Sequence, residues 1–336
     1  MIKLKTPRGL PVDVPEHPWE DKSPRFAPDD LPAIREYYAE NGYAIVQGLF
    51  DAARCSAIRS LWEREVKPYP GFMYRQATAK SEKHVFNRNG WVMNPILNLQ
   101  SVDPRAFPGF REFATKQILA ADGLRKVFEA LLGDAPKIVQ SMYFEGNSAT
   151  WEHQDSYYLD SEKVGEMAAA WIAVEDIFPG AGRFFICPKT HTLEVAGHGI
   201  ENNIADNHEQ YIQTVVSKIR ERNLEIRAPI MRQGDVLFWN AWTIHGSLDS
   251  QDESHSRSSI TCHAIPRSRK FLQLQMRVLD VPAEDVAGTA IYRPKNLASP
   301  RNKAIQFVES NFPQTFYYAK KQAIRHLLKR KGRALH

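Results

Sequence analysis

Two short segments, about 90 residues apart, constrain the fold of this chain more than any other feature. The first, residues 151–155, reads Trp-Glu-His-Gln-Asp, and the second is an apolar stretch, residues 238–247, that contains His245. If His153 and Asp155 lie on one strand, their side chains point to the same face, because strand residues alternate with a period of two. A fold that brings His245 to that face would join two imidazoles and one carboxylate.

This combination of side chains predicts a metal site formed by His153, Asp155 and His245. Two imidazoles and a carboxylate on one side of a metal leave the opposite positions open, and that ligand set is typical of non-haem Fe(II) oxygenases. Arg257, twelve residues beyond His245, is a cation that could anchor a dicarboxylate beside the metal. The residues alone leave structural alternatives open: the triplet also fits a histidine hydrogen-bonded to a nearby aspartate, and Arg257 also fits a solvated loop arginine.

Several segments resemble the phytanoyl-CoA dioxygenase family of 2-oxoglutarate oxygenases. Residues 153–158, His-Gln-Asp-Ser-Tyr-Tyr, look like the metal-binding segment of that family. Residues 168–176, 180–191, 234–239 and 245–247 are similar to later segments of the family and occur in the same order, so the resemblance covers roughly residues 30 to 270. Two departures, Gly182-Arg183 and Pro188-Lys-Thr-His191, lie beside the metal strands and bear on the substrate more than on the chemistry.

The resemblance implies an Fe(II)- and 2-oxoglutarate-dependent dioxygenase. Such an enzyme uses 2-oxoglutarate as a co-substrate with O₂, hydroxylates a C–H bond of its substrate and releases succinate and CO₂. An aspartate at position 155 favours hydroxylation, because related halogenases carry a small residue there. The resemblance also implies further site residues. For the co-substrate these are Arg257, Ser247, Trp171 and, if its strand has the right parity, Gln140. Trp171 fits a plain core tryptophan almost as well. Candidate substrate contacts are Tyr157, Tyr158, Arg183 and His208.

Two other classes of protein remain as alternatives. One is a catalytically silent jelly-roll binding protein, against which the intact triad and Arg257 argue. The other is a cupin-type metalloenzyme that does not use 2-oxoglutarate and would not need Arg257.

Short strands at regular spacing predict a mainly β fold with helical additions. We expect a double-stranded β-helix (a cupin-type jelly roll) flanked by N-terminal helices and carrying a lid-like helical insertion near residues 205–223. Asp30 should cap a helix that ends at Gly42, and Asp51 should cap a second helix to about Lys67. Residues 1–28 should form an extended arm, residues 29–300 a single dioxygenase domain, and residues 301–336 a basic helical tail.

The charge is concentrated at the end of the chain. The net charge is +5, and residues 318–336 carry seven Lys or Arg and no acid, so the rest of the chain sums to 5 − 7 = −2. This distribution does not support a nucleic-acid surface. The tail fits a solvated helix or a peripheral contact with an anionic membrane, and the substrate is expected to be a small or lipid-linked metabolite. The start of the chain has no apolar signal region, and the three cysteines have no paired spacing, so we expect a cytoplasmic protein, with peripheral membrane contact through the tail as the alternative.

Overall fold

The computed structural model describes residues 1–146, 149–193, 195, 204–275, 277–320 and 322, without the side chains of 204–206. The strands are β1 (Ile2–Lys5), β2 (Pro11–Val14), β3 (Arg25–Phe26), β4 (Tyr43–Val46), β5 (Met73–Tyr74), β6 (Ser81–Glu82), β7 (Ile96–Leu97), β8 (Pro136–Phe144), β9 (Thr150–His153), β10 (Leu159–Ser161), β11 (Ala168–Ala173), β12 (Phe184–Ile186), β13 (Val236–Asn240), β14 (His245–Ser247), β15 (Ser259–Pro266), β16 (Phe271–Gln273), β17 (Arg277–Leu279), β18 (Ala283–Val286) and β19 (Thr289–Tyr292). The α-helices are α1 (Leu31–Asn41), α2 (Ala52–Leu61), α3 (Pro108–Phe113), α4 (Asp122–Leu132), α5 (Ile204–Glu221) and α6 (Pro300–Asn311). Two π-helical turns, Trp62–Val66 and Ala114–Leu119, follow α2 and α3.

A large mixed sheet forms the framework of the molecule. Its strand order is β18-β19-β8-β15-β11-β13-β4-β3, and β7 pairs with β8. The pairs β19–β8 and β3–β4 are parallel, whereas the pairs between β8, β15, β11, β13 and β4 are antiparallel. A smaller sheet, in the order β12-β14-β9, packs against the large one, because Phe184 of β12 shares a buried apolar cluster with Trp171 and Trp239. The protein therefore combines packed β-sheets with helices.

The large sheet separates two apolar cores. On β11, Ala170 shares a buried cluster with Ile58 of α2 and Phe128 of α4, whereas the next residue, Trp171, packs toward the smaller sheet. Strand side chains alternate between faces, so β11 is buried on both sides. Helices α1 to α4 cover one face, and the space between the sheets lies on the other.

The first two helices begin where the sequence predicts, and α1 also ends there, whereas α2 ends at Leu61 and continues to Val66 as a π-helical turn. The Asp30 side chain accepts a hydrogen bond from the Ala33 N–H at 3.3 Å, and Asp51 caps α2 through the Arg54 N–H at 2.7 Å. Gly42 ends α1 with a φ of 76°. A Cβ at this position would lie 2.5 Å from Nδ1 of His191, so both the left-handed backbone and the close approach require glycine.

Two local predictions were wrong. Strand β9 ends at His153, and Asp155 begins a 3-10 turn, Asp155–Tyr157, instead of continuing the strand. The predicted extended arm contains the hairpin of β1 and β2, whose residues Val12 and Val14 are buried in one cluster with Phe185. The alternating apolar residues of this short segment pack against residues that are far away in the sequence.

The predicted helical insertion is present as α5, Ile204–Glu221. Of the predicted tail, residues 321 and 323–336, which make up most of the basic segment 318–336, lie outside the described residues. Among the helices that the description includes, none has the length and apolar character needed to cross a membrane.

Candidate metal centre and active site

Strand pairing in the smaller sheet brings two of the predicted metal ligands together, and the turn after β9 adds the third. His245 of β14 lies opposite His153 of β9 in the antiparallel register, and their ring centroids are 4.3 Å apart. Oδ1 of Asp155 lies 3.5 Å from Nε2 of each histidine. One ligand atom from each of the three buried residues lies within 4.8 Å of the others.

Backbone carbonyls fix the orientation of both imidazoles. Nδ1 of His153 lies 2.8 Å from the Trp151 carbonyl oxygen, and Nδ1 of His245 lies 2.9 Å from that of Thr243. A carbonyl oxygen only accepts hydrogen bonds, so each Nδ1 carries a proton, and each Nε2 is the atom that would bind a metal at the centre. Partners of this kind orient metal-binding histidines, and the donor set fits Fe(II).

The second oxygen of Asp155 is held by two residues that the sequence analysis missed. Trp239 donates its indole N–H to Oδ2 at 2.8 Å, and Nε2 of His263 lies 3.2 Å from the same atom. Trp239 and His263 are both paired with Ala169, on opposite sides of β11. The small Ala169 side chain leaves room for the carboxylate between them. This arrangement depends on the register of three strands, which the local pattern does not reveal.

Asp155 is held in its charged form. Its burial opposes ionisation, but attraction to His245 and His263 and hydrogen bonds from His153 and His245 outweigh burial and hold the pKa of Asp155 well below its usual range. A metal ligand must be deprotonated to bind, so this environment prepares the carboxylate for a cation.

Arg257 is a buried cation at the same cavity. Only 2% of its surface is exposed, and its guanidinium lies over the rings of Phe144 and Trp171, 5.3 and 5.9 Å from their centroids. It donates to the Gly182 carbonyl at 3.2 Å, but its Nε has no hydrogen-bond partner and no carboxylate among the described residues pairs with it. Burial lowers the pKa of Arg257 to about 9, which leaves it protonated at neutral pH. A buried cation without an acidic partner is suited to bind an anion.

The other residues expected to contact the co-substrate divide into two groups. Trp171 and Ser247 line the cavity, and the Ser247 hydroxyl also accepts a hydrogen bond from the Thr150 N–H at 2.9 Å. Gln140 is paired with His263 in β8 and β15 and therefore shares its face, but it does not line the cavity. The cavity walls are Gln76, Met142, Phe144, Thr150, His153, Asp155, Trp171, Phe184, Trp239, His245, Gly246, Ser247, Arg257, Thr261 and His263.

None of the four predicted substrate contacts lines this cavity. Arg183 is turned away and donates to the Pro15 carbonyl, so it anchors the N-terminal segment. The Tyr157 ring is stacked on Tyr211 of α5 at 3.7 Å, within an apolar cluster.

The remaining two lie beside the metal centre. The Tyr158 ring centroid is 5.7 Å from that of His153, and its hydroxyl lies 2.8 Å from Nε2 of His208 on α5. Both side chains therefore connect α5 to the metal-binding segment from outside the cavity.

Comparison with known proteins assigns the chain to a family. A family model described as phytanoyl-CoA dioxygenase (PhyH) matches residues 38–258. The peroxisomal phytanoyl-CoA dioxygenase of Bos taurus is 22% identical over 266 residues, which cover 72% of this chain and 70% of that protein. Phytanoyl-CoA dioxygenase domain-containing protein 1 of Rattus norvegicus is 30% identical over 138 residues, which cover 38% of this chain and 44% of that protein.

Solved structures are similar in fold. The non-haem α-ketoglutarate-dependent carbocyclase SnoK from nogalamycin biosynthesis aligns with a TM-score of 0.55 and 14% identity, over 75% of this chain and 90% of that chain. The epimerase SnoN, in complex with Fe³⁺, α-ketoglutarate and nogalamycin RO, aligns with a TM-score of 0.51 and 17% identity, over 80% of this chain and 97% of that chain. Since the family match spans most of the chain and includes both metal strands, this protein belongs to the phytanoyl-CoA dioxygenase family and is a dioxygenase that uses Fe(II) and 2-oxoglutarate.

Proposed function

We propose that this protein hydroxylates a C–H bond of a small or lipid-linked metabolite and converts 2-oxoglutarate to succinate and CO₂. The observation that carries the proposal is that one cavity is lined both by the ligand atoms of His153, Asp155 and His245 and by the buried Arg257. A metal site and an anion site in the same cavity match a co-substrate that is both a chelator and a dicarboxylate.

Each residue then has a defined task. His153, Asp155 and His245 would hold the metal through three protein ligands, a set that leaves coordination positions available for 2-oxoglutarate and O₂. Bound Fe(II), together with 2-oxoglutarate and O₂, supplies the oxidant for the C–H bond. Arg257 binds the distal carboxylate of 2-oxoglutarate, with Ser247 beside it and Trp171 against the guanidinium. Gln76 and Met142, on the remaining wall, are the substrate contacts that we propose in place of Tyr157 and Arg183.

The carboxylate at position 155 supports hydroxylation rather than halogenation, because it occupies the position that a halide would need. The solved neighbours named as a carbocyclase and an epimerase share the fold, so the fold by itself does not determine the outcome. The substrate pose decides it.

We also propose that residues 29–300 form one jelly-roll domain. The strand order β8-β15-β11-β13 in one sheet and β9-β14-β12 in the other supports this proposal. An isolated bridge between Ile186 and Arg227 extends the second sheet by one more position. The facing sheets then enclose the metal centre between them.

A cytoplasmic location with peripheral membrane contact is a further part of the proposal. Three free, buried cysteines, Cys55, Cys187 and Cys262, fit a reducing compartment. Helix α6 exposes Phe307 and Val308, with Phe312 directly after it, close to the start of the basic segment 318–336. Exposed apolar side chains next to basic ones favour an anionic lipid surface.

The experiment is a measurement of succinate released from 2-oxoglutarate with added Fe(II), with and without candidate metabolites. A hydroxylase releases succinate, and its substrate stimulates the release. A silent binding protein releases none under any condition, and a metalloenzyme that does not use 2-oxoglutarate consumes none while it still transforms its own substrate. Either of these two results would contradict the proposal.

A further inference from the structure

Gln154 lies between two metal ligands and outside regular strand pairing. Strand β9 ends at His153, and the 3-10 turn begins at Asp155. The strand pairing that holds His153 opposite His245 therefore stops two residues before the carboxylate ligand, Asp155. Gln154 is only 2% exposed, so its backbone groups need partners within the protein.

One side chain supplies those partners. The Tyr211 hydroxyl accepts a hydrogen bond from the Gln154 N–H at 2.7 Å and donates one to the Gln154 carbonyl at 3.0 Å. Tyr211 lies on α5, 57 residues further along the chain, and is itself buried. The Gln154 carbonyl also accepts from the Tyr157 N–H at 3.2 Å, whereas Tyr211 is the partner of the N–H.

The Gln154 side chain extends the same connection to the third ligand. Its amide Nε2 donates to the carbonyls of Leu193 and Trp242, at 2.6 and 2.5 Å. Trp242 lies three residues before His245, in the connection from β13 to β14. A shift of Gln154 would therefore displace the backbone beside both β9 and β14.

We propose that Tyr211 is a positioning residue for the metal centre, which fixes Gln154 and thereby the spacing between His153 and Asp155. Helix α5 would then be coupled energetically to metal binding. The inference rests on the proposed function only in treating the three ligands as a functional metal site. Residues that orient metal ligands without binding the metal themselves typically contribute 10- to 100-fold to metal affinity.

The chain offers a matched control. Tyr157 stacks on Tyr211 with an interplanar angle of 1°, and its hydroxyl has no hydrogen-bond partner in the described part of the chain. Tyr211→Phe and Tyr157→Phe thus remove the same atom from two adjacent parallel rings. Only the first change takes the partner away from the Gln154 N–H.

The test is an anaerobic titration of both variants and the wild type with Co(II), followed by its visible absorption. We expect Tyr211→Phe to weaken Co(II) binding roughly tenfold and to change the shape of the absorption band, while Tyr157→Phe binds like the wild type. Equal affinities and spectra for all three proteins would overturn the inference and leave the metal site intact. A wild type that binds no Co(II) would instead contradict the metal site, and with it the proposed function.

A second measurement needs no variant. Because coupling between two sites is reciprocal, Co(II) binding to the wild type should slow amide hydrogen exchange in α5 around Tyr211. Metal binding that protects residues 150–158 but leaves α5 unchanged would contradict the coupling, even if the Tyr211→Phe variant failed to fold.

Discussion

The metal strands and helix α5 meet at the same site but are held in place differently. His153 and His245 are set opposite each other by the backbone hydrogen bonds of β9 and β14. Helix α5 reaches this region mainly through side chains: Tyr211 contacts Gln154, and His208 contacts Tyr158. The bidentate Arg8–Glu209 pair, at 3.0 and 2.7 Å, ties the helix to the N-terminal hairpin.

Because of this difference, we expect the two regions to tolerate changes in sequence to different extents. Backbone hydrogen bonds are made by every residue type except proline, so the pairing of His153 with His245 can persist while the surrounding sequence changes. By contrast, the position of Asp155 also depends on the contact between Gln154 and Tyr211. Side-chain contacts can be exchanged one at a time, so α5 can adapt to the substrate. We therefore expect chemistry to depend on the strands and substrate selection to depend on the segments around them.

The largest effect should follow from removing a ligand on the strand side. Asp155→Ala, His153→Ala or His245→Ala should reduce succinate release to the background of the assay, because each removes one of three protein ligands. Asp155→Gly should also lose hydroxylation, although the two histidines can retain some iron. Circular dichroism would check that each variant is folded. Wild-type turnover in any of them would contradict the assignment of these three residues as metal ligands.

Arg257→Ala should have the next largest effect. A charge-assisted pair contributes on the order of 2–3 kcal/mol, so the affinity for 2-oxoglutarate should fall roughly 30- to 150-fold while metal affinity changes little. Calorimetric titration measures both constants. Arg183→Ala is the matched control, since Arg183 is equally buried but faces the N-terminal segment. It should lower the melting temperature and leave 2-oxoglutarate binding as it is, and the reverse pattern would exchange the roles of the two arginines.

A change on the α5 side should be milder. His208→Ala removes the 2.8 Å hydrogen bond to Tyr158, which is worth about 1 kcal/mol, so thermal unfolding should shift by a few degrees at most. Metal and 2-oxoglutarate affinities should stay close to the wild type, and Thr214→Ala, on the same helix, should change none of these quantities. If His208→Ala impaired metal binding as strongly as a ligand variant, the two regions would not be separable in this way.

The smallest effect on turnover should come from the end of the chain. Deleting residues 318–336 removes seven basic residues, each worth about 1 kcal/mol near an anionic surface. Sedimentation with anionic vesicles should therefore decrease, most clearly at low salt, while 2-oxoglutarate turnover on a soluble substrate continues. Equal sedimentation of the full-length and truncated proteins, at low and physiological salt, would remove the membrane proposal.

The outcome of sequence-based prediction follows the same division. The caps Asp30 and Asp51 were predicted because capping is a local interaction. The triad and Arg257 were predicted because their order along the chain resembles a family pattern. Trp239 and His263 were missed, because their convergence on Asp155 requires the register of three strands.

Two of the predicted substrate contacts lie outside the cavity for a related reason. Arg183 contacts the N-terminal segment and Tyr157 packs on α5, and both partners are distant in the sequence. The position of an inserted helix or a docked hairpin is set by long-range packing, which the local pattern around these residues does not encode.

The most direct test of the central claim is calorimetric titration of 2-oxoglutarate into the wild type under anaerobic conditions, with and without Fe(II). If the metal ligands and Arg257 act on one molecule in one cavity, Fe(II) should strengthen 2-oxoglutarate binding by roughly tenfold or more, a typical coupling between sites that share a ligand. The Asp155→Ala variant should lose this dependence. Binding of 2-oxoglutarate that is equally strong with and without Fe(II) would contradict the account, because the co-substrate would then lie away from the metal.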